Sequence, residues 1–140
     1  MTASRTILLV EDNPDDERLT IRALRRGKLT NEILVARNGE EALNLLSGLN
    51  PLPVLVVLDL KLPKVDGLDV LRQIRASDRT HLLPVVVLTS SNEERDIVDS
   101  YHLGANSYVQ KPVDIDQFTE AVRQLGLYWV LINEPSPGGR

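Results

Sequence analysis

Residues 54–67 read VLVVLDLKLPKVDG, and this stretch decides how the rest of the chain is interpreted. Its opening run of five apolar residues is short and almost uninterrupted, as in a parallel strand that is covered on both faces. Asp59 ends the run, and a loop containing Pro63 and Gly67 follows. Ligands of open α/β sheets bind beyond the carboxyl ends of the strands, so Asp59 is a candidate functional residue.

A second apolar run, Ile7–Val10, ends on the acids Glu11 and Asp12. If this strand neighbours the one that ends at Asp59, three carboxylates meet at one edge of the sheet. Like charges at such distances repel one another unless a hard cation lies among them. The sequence therefore predicts a divalent-metal site formed by Glu11, Asp12 and Asp59.

Length and composition limit the classes of protein to be considered. A chain of 140 residues predicts one domain with a sizeable core. The net charge of −4 argues against a nucleic-acid-binding surface. No run of about 20 apolar residues and no signal segment is present, so we expect no membrane association. The absence of cysteine fits a cytoplasmic location.

Apolar strand-like runs alternate with helical patterns along the chain. The predicted strands are Thr6–Glu11, Glu32–Arg37, Val54–Asp59, Pro84–Thr89 and Ser107–Gln110. The predicted helices are Pro14–Gly27, Gly39–Ser47, Gly67–Ala76, Glu93–Leu103 and Asp114–Asn133. Five βα units with short loops and right-handed crossovers predict a doubly wound three-layer α/β sandwich around a five-stranded parallel sheet.

Several helix ends have recognisable signals. Asn13, Asn38 and Asn92 are predicted N-caps. Gly27 and Gly104 are predicted to end helices in the left-handed conformation.

The first helix shows two groups of charged residues. Asp15 and Asp16 are predicted to stabilise its N-terminus rather than to bind metal. Four arginines fall on one side of the helix, and a solvated helix face is the interpretation we favour: Arg18, Arg22, Arg25 and Arg26.

The last predicted helix is unusually long and apolar. One stripe of it would face the core: Ile115, Phe118, Val122, Leu125, Trp129 and Ile132. Further apolar residues lie off that stripe and predict a homodimer face: Leu127, Tyr128, Val130 and Leu131. The alternative is that this end folds back onto the sheet. We expect the domain to occupy residues 1–134, with a disordered tail at 135–140.

Motifs at successive strand ends together resemble the bacterial response-regulator receiver domain: Glu11-Asp12, Asp59, Thr89-Ser90-Ser91, Tyr108 and Lys111-Pro112. The resemblance covers Arg5 to Leu127. It implies a flavodoxin-like fold with strand order 2-1-3-4-5, an order that the sequence alone does not determine.

The resemblance also implies a chemistry. Asp59 would be the phosphoacceptor, taking its phosphoryl group from a sensor histidine kinase. Asp12 and Asp59 would bind Mg²⁺ directly and Glu11 through a metal-bound water, with the backbone carbonyl of Lys61 as a further ligand.

The same resemblance implies a switch. Lys111 would contact the phosphoryl group, aided by a cis peptide bond to Pro112. Thr89 would turn its hydroxyl toward that group, and Tyr108 would move into the space that Thr89 leaves. The responding surface would include Glu93–Leu103, the last strand and the last helix.

Competing classes fit the residues less well. A hydrolase of the haloacid-dehalogenase type needs an acid two residues after its nucleophile, where this chain has Lys61. A flavodoxin-like cofactor binder needs a Ser/Thr/Gly loop after the first strand, where residues 11–16 read EDNPDD. A receiver-like interaction module that works without phosphorylation stays open as an alternative.

The chain is expected to be a single-domain regulator that signals by protein contact. It would act on no separate substrate, while assisting its own phosphorylation and dephosphorylation. Residues 127–135, LYWVLINEP, resemble the ending of small regulators that are paired with bacterial phytochrome kinases. A phytochrome-type sensor kinase is therefore the expected partner.

Overall fold

The computed structural model describes residues 6–27, 29, 31–62, 66–90 and 104–126. Five strands lie within these ranges: β1 (Ile7–Val10), β2 (Ile33–Ala36), β3 (Leu55–Asp59), β4 (Val85–Thr89) and β5 (Ser107–Gln110). The described helices are α1 (Pro14–Arg26), α2 (Gly39–Gly48), α3 (Gly67–Ala76) and α4 (Ile115–Gln124). The predicted strands and the first three predicted helices match these bounds to within one residue at each end. The predicted helix Glu93–Leu103 lies outside the described residues.

The strands form one parallel sheet in the order β2-β1-β3-β4-β5, which confirms the predicted fold. Val10 is level with Leu58, and Asp59 is level with Leu88. The carboxyl ends of β1 and β3 therefore meet at one edge of the sheet, where the acids of both strands lie.

The sheet separates two apolar layers. On one face, β-strand residues such as Leu8, Val56 and Val87 pack with residues of α2 and α3. On the other, Leu9 and Val57 pack with residues of α1 and α4. Burial of each such side chain contributes roughly 1.5–3 kcal/mol. The three central strands, β1, β3 and β4, are apolar up to their last residue because they are buried throughout. The edge strands β2 and β5 are only partly buried, and β5 includes Ser107 and Gln110.

Side-chain caps start the helices at the predicted positions. Asn13 Oδ1 accepts hydrogen bonds from the backbone N–H groups of Asp15 and Asp16 at 2.9 and 3.0 Å. Asn38 Oδ1 does the same for Glu41 at 2.8 Å. The cap of α1 follows β1 after only two residues, so the first turn of α1 faces the carboxyl edge of the sheet. Asn92 lies outside the described residues.

Gly27 ends α1 as predicted, but it does not adopt the predicted left-handed conformation. Its φ is −80°, which any residue adopts, so no left-handed turn is formed there. A Cβ at this position would lie 2.3 Å from Ile115 Cδ1. A side chain at this position would have to displace the end of the Ile115 side chain, because the end of α1 approaches the start of α4 closely. Gly104, by contrast, has the predicted positive φ, at 76°.

The predicted continuous last helix, Asp114–Asn133, was also wrong. The helix ends at Gln124, and Gly126 has a φ of 75°, a left-handed conformation that commonly terminates helices. Phe118 and Val122 are fully buried, as the predicted stripe requires. The predicted dimer face and the tail lie outside the described residues.

Arg75, at the end of α3, fixes the beginning of β5. Its guanidinium donates to the carbonyls of Gly104 and Leu83 at 2.9 and 2.8 Å and to Asn106 Oδ1 at 2.8 Å. These bonds join α3 to the segment that leads into β5. The strand that delivers Lys111 to the sheet edge is therefore held at its opposite end.

Candidate functional site: an acidic cleft around Lys111

An open cleft of about 520 Å³ lies at the carboxyl edge of the sheet. We call it the acidic cleft, and its lining residues are Glu11, Asp12, Asn13, Asp16, Asp59, Lys61, Ser90, Lys111 and Pro112. Five predicted site residues are among them. Thr89 and Tyr108, the two predicted switch residues, do not line it.

The three predicted metal ligands converge in this cleft. Glu11, Asp12 and Asp59 each place a carboxylate oxygen within 4.8 Å of the others. Glu11 is completely buried, Asp59 is 4% exposed and Asp12 is exposed. Two acids are thus removed from water while the third stays in contact with it.

Both oxygens of Asp59 are held by hydrogen bonds. Oδ1 accepts from the backbone N–H of Lys61 at 3.2 Å, and Oδ2 accepts from Lys111 Nζ at 3.0 Å. These donors, one from the loop after β3 and one from the end of β5, orient the carboxylate in the cleft.

Gly67 lets the loop after Asp59 close tightly. Its N–H donates to the carbonyl of Leu60 at 2.9 Å. A Cβ at residue 67 would lie 2.4 Å from Leu60 Cα and 2.5 Å from the carbonyl oxygen of Asp59. These are backbone atoms, which cannot rotate away as a side chain could. A side chain at this position would therefore displace the backbone at Asp59 and Leu60.

Lys111 faces three acids at once. Its Nζ lies 3.0 Å from Asp59 Oδ2, 3.0 Å from Asp16 Oδ2 and 3.1 Å from Glu11 Oε1. Burial by itself would lower the pKa of Lys111, but hydrogen bonds to Asp59 and Asp16 and the nearby negative charges outweigh it and raise the pKa. The ammonium is therefore charged throughout the physiological range.

Glu11 has a raised pKa. Burial, followed by the hydrogen bond and charge of Asp59, raises the pKa of Glu11 to about 7, against an opposing effect of Lys111. Its Oε2 accepts from the backbone N–H of Asn13 at 3.3 Å. Its Oε1 is buried and accepts no hydrogen bond from any described residue, although it contacts the Lys111 ammonium as an ion pair.

The residues present fit a hard divalent cation. One ammonium faces Glu11, Asp16 and Asp59, and Asp12 adds a further acid, so negative charge is in excess. Carboxylate oxygens are the ligands that Mg²⁺, Mn²⁺ and Ca²⁺ prefer. A cation at the cluster would contribute positive charge beside the buried Oε1 of Glu11.

Thr89 and Tyr108 lie on adjacent strands beside the cleft. Thr89 ends β4 and is 4% exposed, and its carbonyl accepts from the N–H of Lys111 at 2.8 Å. Tyr108 is level with Val87, two residues before Thr89, so both predicted switch residues belong to the same face of the sheet. Tyr108 is half-buried there.

Asp16 is the site residue that sequence reasoning missed. It occupies the first turn of α1 as predicted, yet its Oδ2 contacts Lys111 across 95 positions of the chain. Its position in the turn directly after the Glu11–Asp12 pair is the signal that could have revealed it. The predicted cis peptide bond between Lys111 and Pro112 is confirmed.

Comparisons with known proteins identify the family. A model of the response regulator receiver domain matches residues 7–123. The probable methanogenesis regulatory protein FilR2 of Methanothrix harundinacea is 43% identical over 136 residues, covering 94% of this chain and 87% of its own.

Solved structures agree with that match. The bacteriophytochrome response regulator AtBRR is 51% identical, with a TM-score of 0.87 over 95% of this chain and 100% of its own. The Mn²⁺-bound form of the response regulator Rcp1 is 36% identical, with a TM-score of 0.71 over 95% of this chain and 99% of its own. The curated sequence of Rcp1, from Synechocystis, is 35% identical over 131 residues, covering 90% of this chain and 89% of its own.

Proposed function

The chain belongs to the response regulator receiver domain family, and from that premise we propose that Asp59 accepts a phosphoryl group from a sensor histidine kinase. The observation that supports this most directly is the placement of Asp59. It is a carboxylate at the end of a central strand, held by Lys111 and flanked by two further acids. A carboxylate in that position is a nucleophile with a cation already beside it.

The transfer is an in-line displacement at phosphorus. A carboxylate oxygen of Asp59 attacks the phosphorus of a phosphohistidine, the phosphorus–nitrogen bond breaks, and the imidazole leaves with its electron pair. The product is an acyl phosphate on Asp59. Lys111 offsets the negative charge that the phosphoryl oxygens bring into the cleft.

We propose Mg²⁺ as the cation of the site. Asp12 and Asp59 would bind it directly, Glu11 through a water, and the backbone carbonyl of Lys61 would be a further ligand. When bound, the cation supplies electrostatic stabilisation to the phosphoryl group. The oxygen donor set, the buried Oε1 of Glu11 and the Mn²⁺ bound by the relative Rcp1 support this assignment.

Thr89 and Tyr108 form the proposed switch. Phosphorylation adds about −1.5 to −2 charge and three acceptor oxygens next to the end of β4. The Thr89 hydroxyl would turn toward these oxygens, and half-buried Tyr108 on the same face would follow. The output is a change in protein contact and not a reaction on another substrate.

The proposed partner is a phytochrome-type histidine kinase, because AtBRR is a bacteriophytochrome response regulator and half of the aligned residues are shared. The apolar residues Leu127, Tyr128, Val130 and Leu131 remain a proposed homodimer face, and a cytoplasmic location remains an expectation. None of the described helices is long and apolar enough to cross a bilayer.

The proposal is tested by intact-mass measurement after incubation with acetyl phosphate and Mg²⁺. We expect one phosphoryl addition in the wild-type protein and none in Asp59→Asn. Addition to the variant would assign the acceptor elsewhere. No addition to either protein, with the fold retained, would favour an interaction module that works without phosphorylation.

A further inference from the structure

Asp16 is placed differently from the other acids that contact Lys111. Its Oδ2 lies 3.0 Å from Lys111 Nζ, yet Asp16 is outside the group of three carboxylates that converge in the acidic cleft. The Asp16 side chain is 38% exposed, at the rim, while Glu11 and Asp59 lie at the buried end. Asp16 therefore touches the lysine from the solvent side.

A bound cation changes what Lys111 can contact. Glu11 and Asp59 each pair with the ammonium, and both belong to the cluster that would hold a divalent cation. Two positive charges that share the same carboxylates repel each other. Cation binding therefore weakens two of the three ion pairs of Lys111 and leaves the contact with Asp16.

We propose that Asp16 is a positioning residue that keeps the Lys111 ammonium over the acidic cleft while a divalent cation occupies the Glu11–Asp12–Asp59 cluster. Lys111 then meets the incoming phosphoryl group without first being brought back from solvent. This inference rests on the proposed function, since the role of Asp16 is defined by the transfer to Asp59.

The chain offers a matched control in the neighbouring residue. Asp15 lies in the same first turn. Its backbone N–H, like that of Asp16, donates a hydrogen bond to Asn13 Oδ1. The Asp15 carboxylate is 77% exposed and pairs with Arg18 instead of Lys111. Asp15→Asn therefore removes the same charge from the same helix turn without touching Lys111.

The experiment measures the rate constant of phosphorylation by acetyl phosphate at saturating Mg²⁺, together with the Mg²⁺ dissociation constant by calorimetry. The variants are Asp16→Asn, Asp16→Glu and Asp15→Asn, each checked by thermal unfolding. We expect Asp16→Asn to slow phosphorylation about five- to tenfold, since it loses one charge-assisted hydrogen bond. Asp15→Asn should stay within about twofold of wild type, and Asp16→Glu should recover part of the rate.

The Mg²⁺ dissociation constants of the two Asn variants should agree to within about threefold, because both remove one charge near the cleft. Equal rates for Asp16→Asn and Asp15→Asn at saturating Mg²⁺ would overturn the inference. An Asp16→Glu variant as slow as Asp16→Asn would also contradict it. If wild type is phosphorylated on Asp59 and Asp16→Asn is not slowed, only this inference fails. If wild type takes no phosphoryl group, both the proposed function and this inference fail.

Discussion

Lys111 Nζ donates a hydrogen bond to Asp59 Oδ2 at 3.0 Å across 52 positions of the chain. The two residues meet because β3 and β5 both pair with β4, so their carboxyl ends lie at the same edge of the sheet. The ammonium compensates the charge of a nearly buried carboxylate. The same ammonium would face any group that becomes attached to Asp59.

Replacing Lys111 by Ala should destabilise the metal-free protein. The change leaves Glu11, Asp16 and Asp59 without the cation they share, and we expect a loss of about 1–3 kcal/mol in the free energy of unfolding. Saturating Mg²⁺ should restore part of that loss. Urea denaturation with and without Mg²⁺ measures both quantities.

Lys61→Ala is the control for this change, because it removes the same charge from an exposed side chain at the same cleft. It should change stability by less than about 0.5 kcal/mol. Equal losses in the two variants would show that net charge matters and the position of Lys111 does not.

Mg²⁺ affinity should fall as the pH drops below about 7. The pKa of Glu11 is raised to about 7, so below that pH the carboxyl holds a proton that must leave before it can serve a cation. Calorimetric titrations at about pH 8 and about pH 5.5 should show at least a fivefold weaker affinity at the lower value.

Glu11→Gln should bind Mg²⁺ weakly and lose most of this pH dependence. A variant that keeps the full dependence would assign the titration to another group. An affinity of the wild-type protein that does not change between the two pH values would contradict the place of Glu11 in the site.

Gly67→Ala should destabilise the protein and disturb the loop after Asp59. The new Cβ would meet the backbone of Leu60 and Asp59 at 2.4–2.5 Å, and we expect a cost of about 2–4 kcal/mol. Gly48→Ala, where nothing lies within 4 Å, should instead leave stability unchanged or raise it by up to about 1 kcal/mol. Thermal or urea unfolding of both variants tests this, and similar values would contradict the close approach at Gly67.

Arg75→Lys should cost about 1–3 kcal/mol, because a lysine cannot replace a guanidinium that donates to Gly104, Leu83 and Asn106 together. Arg72→Lys, on the exposed side of the same helix, should change stability by less than about 0.5 kcal/mol. Chemical denaturation compares the two, and an Arg75→Lys variant as stable as wild type would show that the start of β5 is held by other contacts.

Much of the fold could be predicted because the three central strands are buried on both faces. Short apolar runs rich in valine, such as Leu55–Leu58, favour such strands, and N-caps such as Asn13 mark where helices begin. The acids after β1 and β3 could be assigned to one edge of the sheet because parallel strands of one sheet end at the same edge. The strand order was available only from the family resemblance, since propensity and periodicity describe single elements and not their neighbours.

Two of the differences from prediction involve contacts between distant elements, and the third involves the conformation of a single glycine. Gly27 was interpreted through its own backbone, whereas the constraint is the approach of Ile115 from α4. Asp16 was assigned to the helix end it does occupy, and its contact with Lys111 depends on how α1 sits against β5. Gly126 stops α4 although the apolar pattern continues past it, because the conformation of one glycine decides where the helix ends.

The most direct test of the central claim is to locate the phosphoryl group. Protein treated with acetyl phosphate and Mg²⁺ is reduced with borohydride, which converts an aspartyl phosphate to homoserine, and is then mapped by peptide mass spectrometry. We expect homoserine at residue 59 alone, and none when Mg²⁺ is removed by a chelator. Homoserine at Asp12 or at another acid, or its absence from wild-type protein that is folded and bound to Mg²⁺, would contradict it.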